Sequence, residues 1–309
     1  MKLSIKLWMF ALVGIFVTST ALGETGLTRV SDSVYSYLDV QQTAPASSYG
    51  ANAGIIIGKD GIAVIDTLVS AKEAERFLKD IKAITDKPIK YVINTHHHLD
   101  HVFGNSAFTK LGATVVAHNH CANEMRLKSV SRLTNSHIYG LTPDDMKGTE
   151  VAFPTITFSD RMRIDLGGVV IELIYVSPSH TKGGILVHLP AEKVVFAGDI
   201  LFTDRHPYMV DGDIAGWQKT LDFLAALNAD KVIAGHGPLS SNKDVKEMRS
   251  YITVFDKKAK ELTAGNHDLE YIVTELKKSL PARSHGEHFI RINAEYKYMG
   301  KELPTANKT

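Results

Sequence analysis

The apolar positions of this chain change period several times, and each change marks an element. Ala53 to Ile57 and Ile62 to Ile65 are short apolar runs separated by Gly58-Lys59-Asp60-Gly61, a pattern that predicts a hairpin. The period then lengthens. Ala71, Ala74, Phe77, Leu78 and Ile81 recur at helical spacing behind Ser70 and Glu73, which together have the form of a capping box. Asp86-Lys87-Pro88 stops that helix, and Ile89 to Asn94 reads as a buried strand. Further strands are expected at Thr114 to Ala117, Val169 to Val176, Ile185 to Leu189, Val194 to Ala197 and Lys231 to Ala234. Helices are expected near Trp217 to Leu227, Asp244 to Leu262 and Leu269 to Leu280, whereas Ser129 to Glu150 is weakly periodic and reads as loop with a short helix. Hairpins interspersed with single helices predict a mixed α/β fold, with sheets packed face to face and covered by helices.

The first residues have a different order: Lys2 and Lys6, an apolar run from Leu7 to Val17, then the small-residue site Ala21-Leu22-Gly23. That is the order of a secretory signal, with cleavage expected after Gly23. A retained membrane span needs about 20 apolar residues, more than this run supplies. Residues 1–23 are therefore assigned to the signal peptide and 24–309 to one domain, with 239–309 a helical extension docked on it. The expected location is periplasmic or secreted, with no stable membrane span after removal.

Composition narrows the chemistry. The chain has 35 Lys plus Arg against 34 Asp plus Glu, so no basic excess exists to hold nucleic acid. Its one cysteine, Cys121, excludes a cysteine-rich zinc finger or an iron–sulfur centre. The 14 histidines are unevenly spread. Directly after the Ile89 to Asn94 strand comes Thr95-His96-His97-His98-Leu99-Asp100-His101. Imidazole and carboxylate are zinc's natural ligands, and burying them uncoordinated and unbonded costs several kcal/mol. Three later strands each lead into one more such side chain beside small residues: His180, followed by Gly183-Gly184, Asp199 after Gly198, and His236 between Gly235 and Gly237. Functional groups gathered at one end of a rigid sheet are a common way to build a site.

His96-x-His98-x-Asp100-His101, His180, Asp199 and His236 together resemble the metal-binding signature of the metallo-β-lactamase superfamily, over about Asn52 to Pro238. The resemblance implies an αββα four-layer sandwich with two zinc ions per chain. His96, His98 and His180 would hold the first zinc, Asp100, His101 and His236 the second, and Asp199 would bridge them. Asp66 would support the metal loop without ligating. Asp199 also departs from the true β-lactamases, which generally carry cysteine or serine there, and resembles the glyoxalase II set. The Gly198 to Pro207 stretch is similar to exported relatives linked to sulfur oxidation and quinoprotein systems.

The implied reaction is attack of a zinc-activated water, oriented by catalytic Asp100, on an acyl carbonyl of an ester, thioester or β-lactam amide in a small-molecule substrate. A dedicated metallo-β-lactamase and a non-catalytic periplasmic zinc-binding or partner protein are the alternatives. Arg205 and His206 are expected at the substrate, where an Arg could grip a carboxylate by two parallel bonds; pairing of Arg205 with Asp204 or Asp211 is the competing reading. His97 is left out of the ligand set, and His118 and His120 read as surface histidines. Gly-x-Ser-x-Gly and phosphate-loop motifs are absent, and Ser240-x-x-Lys243 lacks its companion motifs and reads as a helix start.

Overall fold

A computed structural model describes residues 26–40 and 44–303; the expected signal peptide lies outside the described residues. Two sheets form. The seven-stranded sheet runs in chain order, Thr28–Arg29, Val34–Ser36, Gly54–Ile57, Ile62–Ile65, Ile89–Ile93, Thr114–His118 and Ile156–Phe158. Its first four strands pair antiparallel and its last four parallel. The six-stranded sheet has the order Leu239–Ser240, Lys231–His236, Val194–Phe202, Leu186–Leu189, Val170–Ile174, Arg161–Asp165.

Alternation along the strands explains the layers, because neighbouring side chains point to opposite faces. Ile56, Ala63, Ile65 and Ile93 of the first sheet share one core with Leu173, Val187, Val194 and Phe196 of the second. The intervening Ile55, Val64, Val92 and Val115 pack instead with Phe77 and Ile81 of helix Ala71–Ile84. On the far side, Val195, Ala197 and Val232 meet Trp217 and Leu221 of helix Ile214–Ala226 and Met248, Tyr251 and Phe255 of helix Asn242–Ala264. The result is helix, sheet, sheet, helix. Residues beyond Gly237 thus contribute to the second sheet's outer core rather than to a core of their own. No helix among the described residues is long and apolar enough to cross a membrane.

Four local expectations need correction. Strand Val194–Phe202 does not stop at Ala197 but continues through irregular register at Gly198, so Asp199 lies inside it. A long helix, Asn119–Thr134, takes up the first residues of the expected Ser129 to Glu150 loop. Only half of the capping box forms: Ser70 Oγ accepts from Glu73 N at 3.3 Å, while the Glu73 carboxylate turns to Arg76 at 2.9 Å. His118 is buried, its Nε2 2.6 Å from the Ser159 carbonyl and its ring stacked on Tyr175, so of the pair only His120 is a surface histidine.

Candidate metal centre

The loop after strand Ile89–Ile93 and the short helix Leu99–Val102 present His96, His98, Asp100 and His101 at one edge of the sandwich. Asp199 and His236 come from adjacent parallel strands of the other sheet, and His180 from the loop after Val170–Ile174. Ligand atoms of His96, His98, His180 and Asp199 lie within 4.8 Å of one another, as do those of Asp100, His101 and His236. Asp199 faces both groups. Its Oδ2 is 3.3 Å from His180 Nε2 and 3.7 Å from His96 Nε2. Its Oδ1 is 3.1 Å from His101 Nε2 and 3.5 Å from His236 Nε2. Asp100 Oδ2 completes the second group, 3.5 Å from His101 Nε2 and 3.3 Å from His236 Nε2.

Local bonds aim these rings. Asp66, buried at φ 58°, accepts from Thr95 N at 2.8 Å and Thr95 Oγ1 at 2.7 Å, and from His101 Nδ1 at 2.8 Å, leaving His101 Nε2 for the centre. Thr95 Oγ1 also stands 3.1 Å from His96 Nδ1. His98 donates through Nε2 to Asp211 at 2.9 Å, which turns its Nδ1 inward to 2.9 Å from His180 Nε2. Phe202 stacks on His236, and Trp217 stands edge-on to His180. Gly235 makes the close fit possible, since a β-carbon there would fall 1.9 Å from Asp199 Oδ1.

The donor set fits metal ions. His96 Nε2, His101 Nε2 and Asp199 Oδ1 are buried yet make no well-aligned hydrogen bond, even though His101 Nε2 and Asp199 Oδ1 lie 3.1 Å apart, and a buried polar group left unsatisfied costs about 1–3 kcal/mol. Electrostatics agrees. Burial opposes charge on His101, but the Asp199, Asp100 and Asp66 carboxylates outweigh it and hold the imidazole well above its usual range. His236 is pushed up to about 9 against burial, chiefly by Asp199. Burial instead lowers His96, and takes His180 down to about 3. The cluster therefore draws positive charge to its second half, while burial disfavours charge on His96 and His180 in its first.

Other expected residues lie elsewhere. His97 belongs to neither half; it is buried, its Nε2 3.9 Å from Glu124. Together with His98 and Asp211 it makes a third close grouping, yet Arg132 and Lys128 stand 3.8 and 3.9 Å from the Asp211 carboxylate and supply its positive charge. Arg205 is buried, donating to the Val40 carbonyl at 3.0 Å and standing 3.7 Å from Asp39, neither of the acids weighed for it from sequence. His206 is 2.7 Å from the Tyr251 hydroxyl through Nδ1, and burial lowers it to about 4. Arg205 Nη2 and His206 Nδ1 thus bond within the chain, while Arg205 Nε is buried without a hydrogen-bond partner. Asp211, Thr95 and Tyr208 are the contributors that sequence reasoning missed. Tyr208 packs edge-on to His98 and His180 at 5.7 and 6.4 Å between ring centres.

Known proteins resemble this chain in sequence and fold. The family model described as the metallo-beta-lactamase superfamily matches residues 48–236. A metallo-beta-lactamase type 2 of Bacteroides fragilis is 22% identical over 237 residues, covering 75% of this chain and 87% of that protein. A hydroxyacylglutathione hydrolase of Brucella ovis is 28% identical over 156 residues, half of each chain. The solved structure of an inverting sec-alkylsulfatase from Pseudomonas sp. shares the fold, with TM-score 0.69 and 19% identity over 91% of this chain and 52% of that one. A family match that covers most of the chain and all seven expected ligands, on a four-layer sandwich with those ligands gathered at one edge, places this chain in the metallo-β-lactamase superfamily.

Proposed function

We propose that this chain is an exported hydrolase that holds two zinc ions and cleaves the acyl bond of a small-molecule ester, thioester or β-lactam amide. One observation carries the reading: a single buried carboxylate, Asp199, offers one oxygen to each of two histidine groups whose inward nitrogens include buried ones without a partner. Zinc held there would supply Lewis acidity and bring the ionisation of water into the neutral range.

The chain's own residues do the rest. Asp66 and Thr95 fix His101 and His96 so that each turns Nε2 inward. Asp100, beside His101 and His236, accepts a hydrogen bond from the attacking water and sets its direction toward the carbonyl. Tyr208, half-buried against His98 and His180, walls off the first half of the site. The signal-like order of residues 1–23 supports export. The bridging carboxylate supports a broader acyl hydrolase over a dedicated β-lactamase, and the hydroxyacylglutathione hydrolase relative supports a thioester among its substrates.

A panel tests this: a chromogenic cephalosporin, an aryl ester, an acyl thioester and an alkyl sulfate, each turned over with and without chelator. Chelator-sensitive hydrolysis of the ester or thioester is expected. Turnover of the cephalosporin alone would make the protein a dedicated β-lactamase, and of the sulfate alone would move the reaction off carbon. Stoichiometric zinc without turnover of any of them would favour the non-catalytic reading.

A further inference from the structure

The residues that shape the first half of the site sit on a loop held from the far end of the chain. Tyr208 and Asp211 both lie between strand Val194–Phe202 and helix Ile214–Ala226. Asn293, 1% exposed at the start of the wide π-helical turn Asn293–Tyr298, clasps this loop with both ends of its carboxamide. Its Nδ2 donates to the Pro207 carbonyl at 2.8 Å, and its Oδ1 accepts from Met209 N at 2.7 Å. The two bonds embrace the peptide groups on either side of Tyr208. Four residues along, Lys297 Nζ donates to the Gly212 carbonyl. Asp213 N then ties the loop to the Ser179 carbonyl, next to His180. The C-terminal turn therefore grips Met209 and Gly212, the points that bracket Asp211, and Asp211 is what sets the ring of His98.

We propose that Asn293 is a positioning residue for the first metal: it fixes the 207–212 loop so that Asp211 holds His98 with Nδ1 facing the site. The inference rests on the two-zinc reading above. A buried carboxamide suits the task because it bonds in both directions without charge, whereas a lone donor or acceptor would leave either the Pro207 carbonyl or Met209 N unsatisfied. Groups that orient a metal's ligands typically contribute about 10–100-fold in metal affinity.

The test is zinc binding to metal-free protein, followed by competition with a chromophoric chelator, for wild type, Asp211→Ala, Asn293→Ala and the double variant. Wild type should take up two equivalents. Each single variant should weaken one equivalent by about 10-fold or more and spare the other. The double variant should be no weaker than Asp211→Ala, because Asn293 acts through Asp211. Additive losses, or a lowered melting temperature with both affinities intact, would overturn the proposal by assigning Asn293 to packing alone. If Asn293→Ala does not fold, Lys297→Met releases the loop at its other end. It should weaken the same equivalent, and unchanged affinity there would overturn the inference. Wild-type protein that takes up no zinc would instead remove the two-metal reading itself, and this inference with it.

Discussion

Adding one methyl group at Gly235 is expected to damage the metal centre without touching a ligand. A β-carbon there would lie 1.9 Å from Asp199 Oδ1 and 2.7 Å from both Asp199 N and the Gly198 carbonyl carbon. Favourable heavy-atom contacts lie at about 3.5–4 Å, so the carboxylate has to move by more than an ångström. It cannot do so and keep its place, because Asp199 is 5% exposed and its two oxygens face His96 and His180 on one side and His101 and His236 on the other. Overpacking of this kind costs about 1–3 kcal/mol. That is less than the usual stability of about 5–15 kcal/mol, so Gly235→Ala should still fold. The displaced oxygen should weaken zinc binding by about 10–100-fold, as misplacing a ligand's support generally does. The assay is zinc retained after dialysis, measured by elemental analysis beside the circular dichroism spectrum and melting curve. Fewer than two equivalents in a cooperatively folded variant is the expected result. Two tightly held zinc ions in folded Gly235→Ala would refute the placement of Asp199 between the two groups.

Asp199→Ala should lower turnover by orders of magnitude and weaken zinc while the fold survives; unchanged activity and metal content would exclude a bridge. Asp66→Ala leaves Thr95 N, Thr95 Oγ1 and His101 Nδ1 without their acceptor, at about 1–3 kcal/mol for each donor left buried and unpaired, which urea unfolding would show. Arg205→Lys should lower the melting temperature and leave KM unchanged for substrates with and without a carboxylate, because Arg205 Nη2 already bonds the Val40 carbonyl and faces Asp39; a KM rise confined to carboxylate substrates would instead support the substrate role. His206 is held at about 4 in the folded chain against an ordinary 6.5. Between those values only the unfolded chain takes up the proton, so this stabilising contribution is complete above pH 6.5 and is lost as pH falls toward 4. The stability advantage of wild type over His206→Gln, from urea unfolding at pH 7 and pH 4.5, should shrink accordingly, and a constant difference would show that His206 does not titrate this way.

The candidate ligands are legible because metal chemistry restricts residue types and because strands end at predictable places. His96 to His101 follow a strand whose apolar run is unambiguous, and His236 ends another. Asp199 was found for the right residue type and the wrong local reason, since Gly198 bends the strand rather than ending it. Helix Asn119–Thr134 escaped because its buried face is made of Cys121, Ala122, Met125 and Ser129 while Leu127 and Val130 face outward, leaving no apolar stripe to detect. Asp211 and Asn293 could not be singled out. Each is one ordinary polar residue whose role comes from a contact far away in sequence, Asp211 with His98 and Asn293 with Pro207. Arg205 is a further case of a contact far away in sequence: near the candidate site along the chain, it bonds the Val40 carbonyl and stands beside Asp39.

The most direct measurement is anomalous diffraction at the zinc edge from crystals of protein purified without added metal. Two peaks are expected, one among His96, His98 and His180, the other among Asp100, His101 and His236, with the Asp199 carboxylate between them. A single peak, or peaks that leave Asp199 to one side, would contradict the account.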